Sequence, residues 1–270
     1  MLHFNLFIGK GRVADSSGIH FKVLNKSKGP AVWGPRAQCD REQYKLGIQQ
    51  EISTQENLSV YEATIEDIVV KDNCIVGVIT GTGDIIKCGS VVLTTGTFLG
   101  GVVHVGTEQF NAGRMGEASV TKLADTLLSH GFPLSRLRTG TPPRIDKKTI
   151  NFTDLEPQPS DIPPSPFSFL TSSLPQTQFI TCYRTQTTLA TQNVVTSNLT
   201  YSPKMIDGST GVGPRYCPSL ETKVTKFPDR NHPVWLEPES FTNNQVYPNG
   251  LSTALPLNLQ VQMLRVTKCF

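Results

Sequence analysis

The chain predicts an α/β fold. Three features point to it: β-branched runs separated by turn residues that lead into an apolar strand, helically spaced apolar residues on either side of those runs, and a proline-rich stretch that opens a more mixed region. Between Arg36 and Ile52, Ala37, Tyr44, Ile48 and Ile52 recur at near-helical spacing, which predicts one amphipathic helix with Gly47 as its weak point. The runs Leu58 to Val70, Cys74 to Thr80 and Ile85 to Leu93 are separated by Lys71-Asp-Asn and Gly81-Thr-Gly-Asp, so they read as an antiparallel meander. It feeds a buried strand, Val91 to Thr95, that stops at Gly96-Thr97. Ser119 to His130 predicts a second helix with Leu123, Leu127 and Leu128 as its stripe, Ser119 or Thr121 as its cap and Gly131 just past its end. From Thr139 to Pro166 proline is frequent, and extended structure is expected. A second module is placed at 141–270, with short strands, turns and no repeat period after Gln176.

The 270 residues allow one large or two small domains. A formal charge of +3 is too small an excess to demand a nucleic-acid partner, and 17% charged residues is below the roughly 25% usual for soluble domains. Its distribution says more: Lys22, Lys26, Lys28 and Arg36 come early, and Arg136, Arg138, Arg144, Lys147 and Lys148 cluster mid-chain. Arg36, Arg138 and Arg144 are candidate phosphate contacts, with plain solvation as the alternative. Six scattered cysteines, without a Cys-x-x-Cys pair or a histidine at zinc spacing, indicate neither a disulfide framework nor a metal site. No apolar run approaches the ~20 residues that span a bilayer, so a soluble chain without a membrane span is expected.

One cysteine has reactive surroundings. Cys217 lies in a Pro/Gly-bounded turn with Arg215, Lys223 and Lys226 nearby, just before a helix-like segment, and both cations and a helix start favour the thiolate. It is the candidate nucleophile, and packing beside Tyr216 is the alternative reading. In two-dinucleotide flavoproteins a meander followed by an apolar strand ending in Thr-Thr-Gly brings the strand end to the flavin, which makes Thr95, Gly96 and Thr97 candidate cofactor residues. A Gly-x-Gly-x-x-Gly turn for the pyrophosphate is absent. Gly9-Lys-Gly11 has neither the preceding strand nor the third glycine.

Several stretches together resemble the GidA (MnmG) family: Asn25-Lys-Ser-Lys-Gly-Pro-Ala-Val32, Leu93-Thr-Thr-Gly-Thr-Phe-Leu99, Arg138-Thr-Gly-Thr-Pro-Pro-Arg-Ile145, Gly213 to Phe227, Trp235-Leu-Glu-Pro-Glu239 and Tyr247-Pro-Asn-Gly-Leu-Ser-Thr253. The likeness runs from about Val13 to the C-terminus and covers a middle portion of the family's length. It implies an incomplete FAD/NAD(P)-binding Rossmann-like domain over 1–140 with an inserted mixed α+β module over 141–270. The implied activity is modification of the wobble uridine of tRNA, adding a 5-carboxymethylaminomethyl or taurinomethyl group. FAD, NADH and a folate one-carbon donor are the implied cofactors and co-substrate. The implied partners are tRNA, an MnmE-type GTPase and a second copy in a homodimer, and the eukaryote-like resemblance implies a mitochondrial location.

The resemblance also assigns residues. Gly213, Pro214, Arg215, Tyr216, Cys217, Lys223 and Phe227 fall in the nicotinamide-binding stretch, Cys217 matches a cysteine required for the reaction, and Ile65 matches an aliphatic flavin contact. Val120 replaces a flavin-contacting serine, and Tyr183-Arg-Thr185 departs from the family pattern. Because the pyrophosphate turn is missing, a non-catalytic fragment that binds tRNA or a partner stands as the alternative.

Overall fold

A computed structural model describes residues 2–203 and 219–270. The chain begins with α1 (Leu2–Ser17), which contains Gly9-Lys-Gly11, followed by the antiparallel pair β1 (Gly18–Leu24) and β2 (Gly34–Cys39). Helix α2 (Arg41–Ser53) starts five residues later than the periodicity predicts, because Arg36 to Cys39 pair with β1 as a strand. Asp40 marks the change. Its carboxylate accepts the backbone N–H groups of Glu42 and Gln43, which satisfies donors that a helix start leaves open. Gly47 has a packing role: a Cβ there would stand 2.6 Å from Val13 Cγ1, so its absence lets α1 lie close against α2.

The meander forms as expected from β3 (Ile65–Lys71), β4 (Cys74–Thr80) and β5 (Ile85–Lys87). Asp72 and Asn73 both take positive φ, 50° and 60°, which matches the twist of a two-residue hairpin. The predicted strand after it does not form. Val91 to Thr95 is irregular, and Val92 is 77% exposed. A strand apolar on both faces needs neighbours to pair its peptide groups. Among the described residues none lies alongside this run; the nearest parallel pairing is a bridge between Leu99 and Val120. The hairpin β6 (Val102–Val105) and β7 (Glu108–Asn111) comes next, then α3 (Lys122–Ser129), with Leu123 and Leu127 buried, Leu128 exposed and Gly131 at φ 83° beyond its end.

The proline-rich stretch is mostly irregular, with the short strands β8 (Ile145–Asp146) and β9 (Glu156–Gln158). It is pinned to β1: Ser160 Oγ accepts from Phe21 N–H, and Asp161 accepts from Val23 N–H. With β10 (Cys182–Gln186), β11 (Pro233–Pro238) and β12 (Gln245–Asn249), these strands form an antiparallel sheet ordered β8-β12-β11-β10-β9. Helices α4 (Leu189–Thr196), α5 (Leu220–Lys226) and α6 (Leu257–Arg265) supply Val195, Leu220, Val224 and Met263 to the core under it.

Strand β11 shows why that sheet has two unlike faces. Side chains alternate along a strand, so Val234 and Leu236 enter the core with Val246, while Trp235 and Glu237 point the other way. Glu237 is directly opposite Tyr247 and Trp235 opposite Asn249, which brings these polar and aromatic residues onto the second face.

Asp40 ties that face to α2 as well, because its second oxygen accepts from Ser240 Oγ and Phe241 N–H. Desolvation pushes its carboxyl up, but the hydrogen bonds from Ser240, Gln43, Phe241 and Glu42 outweigh that and hold it below its ordinary value. A depressed folded-state pKa gives stability that is present above the unfolded value, near 3.8, and is lost as pH falls through the folded one. Asp40→Ala is therefore expected to cost about 1–2 kcal/mol at pH 7. Urea titrations should show the gap to wild type narrowing as pH falls below about 4. A gap constant with pH would exclude a role for the ionised carboxylate.

Candidate functional site

The second face of the sheet, with β2 and the start of α2, encloses an open cleft of about 530 Å3. Arg36 and Gln38 alternate along β2, Arg41 and Tyr44 come from α2, and Glu237, Glu239, Tyr247 and Asn249 come from the β11–β12 side. Arg36 meets Glu237 through two parallel bonds, Nη1 to Oε1 at 2.7 Å and Nη2 to Oε2 at 2.8 Å. Hydrogen bonding to Glu237 raises the Arg36 pKa against the opposing pull of desolvation. Asn249 Nδ2 also donates to Glu237, at 3.3 Å. At the other end Arg144 Nε donates to Glu239 Oε1 at 2.7 Å, and its guanidinium lies 4.5 Å over the Tyr247 ring. Glu239 Oε2 is closed from solvent and has no hydrogen-bond partner among the described residues.

One thiol lines this cleft and a second is bonded to the lining residue Gln38. Cys39 lines it and donates to Ala14 O, and Cys182 exchanges weak hydrogen bonds with the Gln38 amide. Burial raises both pKa values, that of Cys182 to about 11. Both are therefore held as thiols. Among the described residues no group of His, Cys, Asp and Glu could hold a metal ion, and no helix is long and apolar enough to cross a membrane.

The sequence-predicted residues are spread over several places. Cys217, with Gly213, Pro214, Arg215 and Tyr216, lies outside the described residues. Lys223 Nζ donates to Gly250 O at 3.2 Å, and Phe227 ends α5 with Arg230 over its ring. Ile65 opens β3, half-buried, opposite Thr80. At the end of the Val91 to Thr95 run, Gly96 takes φ 56° with no atom within 4 Å of where a Cβ would stand, while Thr97 Oγ1 donates to Gly113 O. Arg136 donates to Gly100 O, and with Arg138 it acts on His104, whose pKa is lowered first by desolvation and then by these two cations. Arg36 and Arg144, read from sequence as phosphate contacts, are both engaged by carboxylates.

Sequence reasoning gave no role to Glu237, Glu239, Tyr247 and Asn249. Their signal was period-two spacing: each pair sits at i and i+2, which places Tyr247 and Asn249 on one face of β12 and Glu237 on β11 with Glu239 just past its end.

These features can be set beside known proteins. The profile of the family described as "GIDA: Glucose inhibited division protein A" matches residues 9–270. The "tRNA uridine 5-carboxymethylaminomethyl modification enzyme MnmG" of Thermodesulfovibrio yellowstonii is 44% identical over 255 residues, covering 94% of this chain and 41% of that relative. Two crystal forms of Aquifex aeolicus GidA superpose with TM-scores of 0.87 and 0.85 at 40% and 39% identity, covering 97% of this chain and 46% and 44% of theirs. A mixed α/β chain with this likeness belongs to the GidA family. It spans less than half the length of the relatives it matches.

The buried thiol gives a direct check of the cleft wall. At pH 8 a group with a pKa of about 11 is thiolate in about one molecule in a thousand. Iodoacetamide should therefore spare Cys182 while alkylating exposed Cys74, with Cys182 reacting once urea is added, as read by peptide mass spectrometry. Equal labelling of the two in the folded chain would contradict the packing around Gln38.

Proposed function

We propose that this chain takes part in modifying the wobble uridine of tRNA at C5. The observation that carries the reading is the 44% identity to a tRNA uridine 5-carboxymethylaminomethyl modification enzyme across 94% of the chain. FAD is the cofactor of this proposal, with NADH as its reductant and a folate as one-carbon donor. Open space at Gly96 and its positive φ support an approach of a flat ring to the Thr95-Gly96-Thr97 backbone, and Ile65 is the apolar contact that the family likeness suggests. No glycine-rich strand-to-helix turn stands among the described residues to take the pyrophosphate, and Gly9 and Gly11 lie inside α1. Bound FAD would supply two-electron redox chemistry that no side chain can.

Within this reading Cys217 is the nucleophile or acid–base group, and Gly213, Pro214, Arg215, Tyr216, Lys223 and Phe227 meet the nicotinamide cofactor. Leu220 N–H donates to Ser252 O at 2.7 Å, so the start of α5 is fixed against the chain that follows β12. Arg36, Arg138 and Arg144 are the arginines proposed for tRNA phosphates, Arg36 and Arg144 by exchanging a carboxylate for phosphate. An MnmE-type GTPase, a homodimer, a mitochondrial location and an amine donor of glycine or taurine complete the proposal. The division at 140/141 belongs to it too, since strands β8 to β12 all come from residues after that point.

The purified chain titrated with FAD and scanned between roughly 350 and 500 nm tests the cofactor assignment. Stoichiometric uptake is expected, unchanged in Cys217→Ala and reduced at least about tenfold in Gly96→Val, whose side chain would occupy the open approach. A folded chain that takes up no flavin would favour the alternative, a fragment that binds tRNA or a partner without catalysis.

A further inference from the structure

We infer that Ser165 is an acceptor for a proline-directed protein kinase, and that Lys22 on β1 receives the phosphate placed there. The inference concerns the proline-rich arch beside β1 and does not depend on the tRNA reading.

Access comes first. The stretch around Ser165 is fastened on both sides. Before it, Asp161 N–H donates to Phe21 O, and the Asp161 carboxylate accepts from Val23 N–H. After it, the N–H groups of Phe167 and Ser168 donate to the two oxygens of the buried Asp15 carboxylate. Residues 162–166 arch between these anchors, and Pro163, Pro164 and Pro166 have no N–H to give to a ladder. Ile162 is 93% exposed, Ser165 is exposed as well, and its hydroxyl has no hydrogen-bond partner among the described residues. A kinase takes its acceptor from a short exposed segment of this kind, and the proline-directed class takes one that is followed by proline.

Two other hydroxyl residues precede a proline, and neither is open in this way. Ser202 is buried, and Thr141 Oγ1 is engaged by Pro142 O and by Arg144 Nη1. The structure therefore separates Ser165 from two positions that share its sequence signal.

Charge supplies the receiving group. Lys22 and Arg36 are directly opposite each other on β1 and β2, and like charges so placed repel. Glu237 neutralises Arg36. Lys22 forms no ion pair among the described residues, and its Nζ donates only to Pro159 O, at 3.3 Å. Both cations line one small cavity with Ser165, Phe167 and Asp161. That cavity measures about 10 Å3, so the residues around it are close neighbours. Asp161 is its one acid, and one of its oxygens is already spent on Val23 N–H. A phosphate on Ser165 brings a charge of about −1.5 to −2 and three strong acceptor oxygens to the unpaired ammonium.

In the transfer, Ser165 Oγ attacks the γ-phosphorus of ATP. The new O–P bond forms as the bond to ADP breaks, and the hydroxyl proton passes to the carboxylate base of the kinase.

The full folded chain is incubated with Mg-ATP and a purified proline-directed kinase, and the phosphate is located by peptide mass spectrometry. The expected product carries one phosphate, on Ser165, and incorporation falls at least about tenfold in Pro166→Ala and in Ser165→Ala. A phosphorus resonance titration of that product then reads the neighbouring cation. A free phosphoserine titrates near about pH 6, and a cation beside it moves the midpoint lower. The expected midpoint is at least about half a unit lower in the wild-type product and returns to about 6 in Lys22→Gln. A folded chain left unmodified while the urea-unfolded chain, diluted into the assay, is modified overturns the acceptor assignment, as does phosphate placed on Thr141 or Ser202 instead. A midpoint that is unshifted, or that stays shifted in Lys22→Gln, overturns the role of Lys22. Thermal unfolding of each unmodified variant within a few degrees of wild type establishes that it folds.

Discussion

The Arg36–Glu237 pair joins strands 201 residues apart in sequence and sets the geometry on which the rest of the cleft depends. A bidentate guanidinium–carboxylate contact fixes angle as well as distance. Glu237 is nearly buried and Arg36 about a third exposed, so removing Arg36 would strand the Glu237 charge in a poor environment. Two further links act in parallel. Asp40 caps α2 and accepts from Ser240, and Arg41 N–H reaches Glu239 O. The N-terminal strand pair is thereby held on the five-stranded sheet by polar contacts that also form the wall of the site.

A cleft built in this way differs from a nucleophilic centre. Burial raises the pKa of its thiols, Arg36 is matched by Glu237 and Glu239 by Arg144, and two tyrosines line it. The groups proposed for the chemistry of this chain are Cys217, ahead of α5 in sequence, and a flavin at the Gly96 turn. The chain following β12 links these regions: Gly106 N–H donates to Ala254 O, and Leu220 N–H donates to Ser252 O. The β6–β7 hairpin and the start of α5 thus share one short stretch of backbone as their anchor. Glu221 strengthens that anchor by accepting from Thr253 Oγ1 and Ala254 N–H.

Several elements were legible because their signals are local. The Asp72-Asn73 turn, the α3 stripe with Gly131 beyond it and the meander runs depend on backbone preferences and on neighbours a few residues away. Two expectations failed where the deciding partner is distant. Arg36 to Cys39 carries residues compatible with a helix, yet it pairs with β1, and Asp40 begins the helix after it. Val91 to Thr95 has the composition of a buried strand, but composition supplies no neighbouring strand, and none stands beside it among the described residues. The cleft was legible only in part: its motifs were visible as family signatures, while the pairing of Arg36 with Glu237 and of Arg144 with Glu239 was not.

The sequence by itself determined the family, the α/β class and the local elements, because motif order and short-range periodicity are written along the chain. Only the tertiary structure decided what the arginines do. Whether a guanidinium awaits a phosphate or is already spent on a carboxylate depends on what the fold places within 3 Å of it, and for Arg36 that partner arrives from the far end of the chain.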